Sequence, residues 1–312
     1  MKLRLLALLA LFIPAFGLRP LVAADAPPVI DLWPEGVPDL KPDATPEKEV
    51  NGTFSNIHHP SMIVYAPPAG KARTDTAVVF CAGGGYIHVA VGTPNGGQVT
   101  QWLNSIGITV FVLKYRSVEY GHPAPLRDVL RAVRIVRSRA AEFGVRPDHI
   151  GVMGGSAGGH LTASAGTLYD APEGRTGAEI DKVSARPDFL VLIFPVLTME
   201  EPYVHKASRT ALLGPNPSEE LKKHLSMELQ VTKNTPPTFL VHSTADTTVP
   251  VENSLMFFQA MRNAKAPIEM HLYPNGPHGS GMATSLGPIS EWPKHCEDWM
   301  RFNGWLPKIT DG

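Results

Sequence analysis

Cysteine is scarce in this chain. Cys81 and Cys296 are the two in 312 residues, which excludes a disulfide-stapled scaffold. Cys81 falls in an apolar strand pattern, so two packed thiols are expected rather than a bridge. An excess of one charge is missing too. The 28 basic residues stand against 29 acidic ones, a formal net charge of −1, and no basic stripe marks a nucleic-acid footprint. The apolar run at residues 5–16 is too short, and too interrupted by Pro14, for stable insertion in a membrane.

That run reads instead as the centre of an export signal. Lys2 and Arg4 give it a basic start, and Val22-Ala23-Ala24 offers small residues for cleavage. Residues 1–24 are expected to be a signal peptide, and the mature chain to be secreted or periplasmic. Loss of Lys2, Arg4 and Arg19 with the signal takes the formal charge from −1 to −4. Residues 25–53, rich in proline and acidic groups, are expected to form an extended lead-in with Trp33 as a packing anchor. Residues 54–312 then make one α/β domain.

Short apolar, β-branched runs alternate with helical patterns along that domain. The runs at 62–65, 77–81, 108–113, 149–153, 189–194, 238–242 and 268–273 read as strands. Helices are expected over 98–106, 125–143, 251–264 and 292–302. In the second of these Leu126, Val129, Leu130, Val133 and Val136 form the buried stripe, arginines face outward and Gly144 closes the helix. Such alternation specifies a mostly parallel central sheet covered by helices. Residues 167–188 and 198–236 are excursions over the sheet. Neither holds the long apolar stretch that a large lid over the sheet would need.

The chemistry centres on Gly154-Gly155-Ser156-Ala157-Gly158, a G-x-S-x-G pattern between a strand and a helix. Small neighbours are needed where a serine occupies a sharp turn and projects its hydroxyl above the sheet edge. The bland alternative is a glycine-rich turn with a buried hydroxyl. A nucleophilic serine needs a base, and the base an orienting acid. Asp246 sits just past the strand at 238–242, and His278 on the loop after the strand at 268–273, where groups gather at the carboxyl ends of parallel strands. The chain order serine, acid, histidine is the one that accompanies a G-x-S-x-G elbow on a parallel sheet, and the lack of a large lipase-type lid then favours a small or polar acyl ester over a long lipid. Asp246 could also cap the helix that follows it. Asp128 and Asp188 are rivals placed in a helical charge pattern and ahead of a strand; His242 and His271 lie in strands and read as packing, and His160 as support behind the turn.

Acyl transfer builds negative charge on a carbonyl oxygen, which calls for aligned backbone donors. Gly84 or Gly85, in Cys81-Ala82-Gly83-Gly84-Gly85-Tyr86, and Ala157 are the candidates. No compact His, Cys or carboxylate spacing compels a metal, and the chemistry requires no cofactor.

These residues resemble the α/β-hydrolase superfamily, and specifically secreted bacterial esterases related to acetylxylan esterases and other carbohydrate esterases. The likeness runs through Leu32-Trp33-Pro34-Glu35-Gly36, the triple glycine, Lys114-Tyr115-Arg116 and residues 121–126. It continues through residues 151–160, 184–189 and 237–242 to Asp246. The resemblance implies a serine esterase acting on an acylated carbohydrate or small-molecule ester, with Ser156, Asp246 and His278 as its triad. Feruloyl or broad carboxylesterase activity is the alternative; a peptidase or a silent carbohydrate-binding relative are the other classes. Tyr86, Arg116, Leu197 and Trp292 are candidates for the substrate pocket, with bracing of the sheet edge by a buried carboxylate the competing reading of Arg116. The chain departs from the family pattern at Ser280, where a larger residue is usual after His-Gly, and at Tyr86-Ile87-His88-Val89, which is expected to narrow the entrance.

Overall fold

The computed structural model describes residues 26–309 except 93, 281 and 283, so the expected signal peptide, residues 1–24, lies outside the described residues. In chain order the strands are β1 (Val29–Asp31), β2 (Lys48–Val50), β3 (Thr53–Ser55), β4 (Ser61–Tyr65) and β5 (Ala77–Cys81). They continue with β6 (Thr109–Lys114), β7 (Ile150–Gly155), β8 (Phe189–Ile193), β9 (Thr238–Ser243) and β10 (Ile268–Tyr273). Eight of them form one sheet in the order β1-β4-β6-β5-β7-β8-β9-β10; β2 and β3 pair as a separate hairpin. β4 runs antiparallel to β1 and β6. Every pairing from β6 to β10 is parallel.

The helices are α1 (Pro94–Ser105), α2 (Ala124–Ser138), α3 (Ala140–Phe143), α4 (Ala157–Thr167), α5 (Lys206–Leu213), α6 (Glu219–His224), α7 (Glu252–Asn263) and α8 (Trp292–Phe302). Strands β5, β7, β8 and β9 are buried at every position, the pattern of parallel strands covered on both faces. The excursion over 198–236 is made of the short helices α5 and α6 and a turn at Met227–Leu229 rather than a large lid.

Two expectations are corrected by the packing. The helix expected over 125–143 is divided, because Arg139 leaves helical geometry between α2 and α3; Gly144, at φ 66°, closes the second piece in the left-handed region that glycine tolerates. The arginines of α2 do not all face outward. Arg131 and Arg134 are buried, because the lead-in and the turns after α4 fold over that side. Arg131 donates to the Leu32 carbonyl and pairs with Glu35, while its guanidinium stacks on the Trp33 ring at 4.7 Å. Arg134 pairs with Asp181 at 3.1 Å. The lead-in is thus held by charge and by area: β1 extends the sheet, and Trp33 is buried with its indole N–H on Asp128 Oδ1 at 2.9 Å. Cys81 and Cys296 are free, buried thiols, and burial pushes Cys81 up to about 12.

Candidate active site

Strand β7 ends in Gly154 and Gly155, and α4 starts at Ala157, so Ser156 carries the whole reversal. Its backbone stands at φ 55° and ψ −125°, a region L-residues rarely occupy. The glycines are dictated by contact. A Cβ on Gly154 would come within 2.3 Å of the Gly158 carbonyl oxygen, and one on Gly158 within 2.0 Å of that of Cys81. The turn is fixed to the end of β8 by hydrogen bonds from Ser156 N to Ile193 O (3.1 Å) and from Val196 N to Ser156 O (3.0 Å).

Ser156, His278 and Asp246, distant in sequence, come into line. His278 Nε2 is 2.9 Å from Ser156 Oγ, and His278 Nδ1 is 2.7 Å from Asp246 Oδ2. Asp246 also serves as the cap it resembles, with its other oxygen: Oδ1 accepts from the N–H groups of Thr248 and Val249 at 2.9 and 3.0 Å. Burial alone would raise the Asp246 carboxyl. Hydrogen bonds from His242, His278 and the Val249 N–H outweigh it and hold the group well below the usual carboxylate range. An ionised carboxylate only accepts, so both histidines donate to it, and His278 Nε2 is left to accept the Ser156 hydroxyl proton. Phe194 meets the His278 ring edge to face at 5.0 Å.

A cavity of about 340 Å³ opens over this line. Gly83, Gly84 and Gly85 border it on one side; Phe80, Val99, Phe194 and Trp292 give it an apolar wall. Among the described residues, the backbone N–H groups of Gly84, Gly85 and Ala157 make no hydrogen bond. The Gly84 carbonyl is engaged elsewhere, by Ile87 N and His88 N, and a Cβ at Gly84 would strike the His88 carbonyl oxygen at 2.1 Å. Ala157 is the first residue of α4, where an N–H has no intrahelical acceptor.

Of the four pocket candidates, only Trp292 lines this cavity, at the start of α8 and edge to face with Trp102 at 5.2 Å. Tyr86 is buried beneath the glycine loop with its hydroxyl 2.8 Å from His160 Nδ1, so it does not narrow the entrance. Arg116 is fully buried against Asp128. Leu197 is buried, its backbone N–H on Asn253 Oδ1. Ser280 borders the cavity as a small residue. The rival acids are engaged away from it, Asp128 by Arg116 and Asp188 by Arg137 and the Ile150 N–H.

Two residues escaped the sequence reading. His242 is fully buried, with Nε2 3.2 Å from Asp246 Oδ2 and Nδ1 2.7 Å from Ser254 Oγ. Its place four residues before the acid, at a strand end, was the available signal. His205 lines the cavity with Nδ1 on Ser208 Oγ at 2.8 Å; burial, then the nearby His278, lowers its affinity for a proton. It lies in the 198–236 excursion, where no periodicity tied it to the site.

Comparison with known proteins places these features in a wider set. The BD-FAE family profile matches residues 62–261. An acetylxylan esterase of Xylanibacter ruminicola is 32% identical over 268 residues, 80% of this chain and 52% of that protein. An endo-1,4-beta-xylanase B of Butyrivibrio fibrisolvens is 34% identical over 242 residues, 76% of this chain and 37% of that protein. The chain therefore spans about half the length, or less, of these relatives. The solved structure of an acetyl ester-xyloside bifunctional hydrolase from Caldicellulosiruptor lactoaceticus matches with a TM-score of 0.79 at 38% identity, covering 91% of this chain and 100% of that one.

Proposed function

The chain belongs to the BD-FAE family, and on that premise we propose that it is a secreted serine esterase. Its substrates are acetyl or other small acyl esters of carbohydrates such as acetylated xylan. The observation that carries this reading is the continuous line from Ser156 Oγ through His278 to Asp246 at the floor of the cavity.

In the proposed reaction His278 Nε2 takes the Ser156 proton as Oγ attacks the ester carbonyl. The oxygen, now negative, moves toward the unpaired N–H groups of Ala157 and of Gly84 or Gly85. One such donor is typically worth about 10²–10³ in rate. Asp246, held ionised, faces the imidazolium and fixes its orientation. His278 then gives the proton to the departing sugar oxygen, leaving an acyl-serine. Water, deprotonated by His278, attacks that ester, releases the acid and restores Ser156. Export through residues 1–24 would bring the enzyme to a polymer too large to enter the cell.

A second reading, a feruloyl or broad-specificity carboxylesterase, is favoured by the wall of Phe80, Val99, Phe194 and Trp292, which offers more apolar surface than an acetyl group covers. The mature protein and Ser156→Ala, assayed side by side for acetate released from acetylated xylan and for turnover of feruloyl and simple acetyl esters, separate the two. Serine-dependent acetate release from xylan supports the first. Turnover confined to the other esters supports the second, and no serine-dependent turnover on any of them overturns both.

A further inference from the structure

Away from the cavity, three elements bring together side chains of metal-ligating type. His122 stands on the loop ahead of α2, Glu173 on the short turn Pro172–Gly174 and His224 at the end of α6. One ligand atom from each lies within 4.8 Å of the others. His224 Nε2 is 2.6 Å from Glu173 Oε1, and the two histidine rings meet edge to face with centroids 6.1 Å apart. We propose that His122, Glu173 and His224 form a structural site for a divalent cation of the zinc class, with water completing the coordination.

The donor set selects the ion. Two imidazoles and one carboxylate suit zinc and its neighbours, whereas magnesium and calcium prefer shells of oxygen. A tetrahedral ion about 2.0–2.1 Å from its ligands spaces them about 3.3 Å apart. The His224–Glu173 contact is inside that spacing and must open by less than an ångström, a movement that two half-buried side chains can supply. The nearest cation, Arg127, is already engaged: its guanidinium binds Asp39 Oδ2 at 2.6 Å and the Glu173 backbone carbonyl at 2.9 Å. It orients the turn that carries Glu173 and leaves the carboxylate to the histidines.

The position suggests what such an ion does. It would tie the segment after α4 and the 198–236 excursion to the start of α2. Leu225, next to His224, accepts from His160 Nε2 at 2.8 Å, and His160 sits on α4 one turn after Ser156. The ion would therefore fasten the wall behind the nucleophile's helix without touching reacting atoms.

The test is calorimetric titration of the chelator-treated mature protein with zinc chloride, with magnesium chloride as control, alongside thermal unfolding. One saturable site per chain and a Tm rise with zinc alone are expected. Glu173→Gln and His224→Ala should each weaken binding at least tenfold and remove the Tm rise, with far-ultraviolet circular dichroism showing that they fold. Cobalt(II) titration of the unsubstituted protein, which needs no variant, should give an intense visible band of a four-coordinate ion. Absence of saturable zinc binding, absence of that band, or affinity unchanged in the Glu173→Gln/His224→Ala double variant would overturn the site.

Discussion

His242 and His278 converge on one oxygen: their imidazoles meet Asp246 Oδ2 at 3.2 and 2.7 Å. The Ser254 hydroxyl, 2.7 Å from His242 Nδ1, fixes the tautomer, since Nε2 must donate to the carboxylate and Nδ1 is left to accept. In the proposed mechanism His242 is thus a positioning residue for Asp246. A hydrogen bond to a charged group contributes about 1.5–3 kcal/mol. His242→Phe should therefore lower kcat by about 10–100-fold with KM within about twofold, and His242→Gln, which retains a donor, should recover part of the loss. Steady-state kinetics on a simple acetyl ester decide it; a rise in KM with kcat intact would show that His242 acts on substrate binding instead.

Ser156 carries strain that the serine side chain makes worse. Backbone in such a region costs about 1–3 kcal/mol for a residue with a Cβ, and glycine escapes most of it. Ser156→Gly is expected to be more stable than Ser156→Ala by about 1 kcal/mol, after allowance for the greater freedom of glycine in the unfolded chain. Both should lose ester hydrolysis by about 10⁴-fold or more. Urea unfolding of the two inactive proteins makes the comparison, and equal midpoints would mean that the turn is not strained.

A pH dependence follows from His160. Leu225 O can only accept, so His160 Nε2 donates to it, and Nδ1 accepts from the Tyr86 hydroxyl. Both nitrogens are satisfied by the neutral ring. Burial pushes its pKa down to about 4, against about 6.5 in the unfolded chain. Between those values the unfolded state binds a proton that the folded state refuses. Stability therefore falls as pH drops from about 6.5 to about 4, by up to about 3 kcal/mol, and this contribution then levels off. Chemical denaturation across that window should show a shallower slope for His160→Gln. Parallel curves would remove His160 as the cause.

Much of this was readable in the chain. The apolar run at 77–81 became β5 with the same limits, because a strand buried on both faces is bounded by where apolar residues stop; the run at 268–273 also kept its limits as β10, though as the edge strand it is only partly buried. The residues of the Ser156, Asp246 and His278 line were legible because each follows a strand that ends at the same edge of the sheet. Contacts between parts of the chain with no shared period were not. The burial of Arg131 and Arg134 depends on a lead-in and a turn folding over α2, and the grouping of His122, Glu173 and His224 on a loop, a turn and a helix end that packing alone brings together. Tyr86 was misplaced for a local reason: its φ of 61° turns the side chain under the glycine loop, a reversal that spacing does not reveal.

Arg116 offers the sharpest division between bracing and binding. Its side chain and that of Asp128 are fully buried. Asp128 accepts from the Arg116 guanidinium and backbone N–H and from the Trp33 indole, and the guanidinium also reaches the Pro38 carbonyl at 2.6 Å. Arg116→Met would leave a carboxylate without its counter-charge in the interior, at a cost of about 3–5 kcal/mol. Replacing both partners, Arg116→Met with Asp128→Leu, removes the stranded charge and should recover a substantial part of that loss, short of what the Trp33 indole and the Arg116 N–H forfeit. Neither residue borders the cavity, so KM for an acetyl ester should stay within about twofold in any variant that folds. Denaturation midpoints and KM are measured on the same preparations. A variant of unchanged stability and raised KM would place Arg116 on the substrate and end its role as a brace.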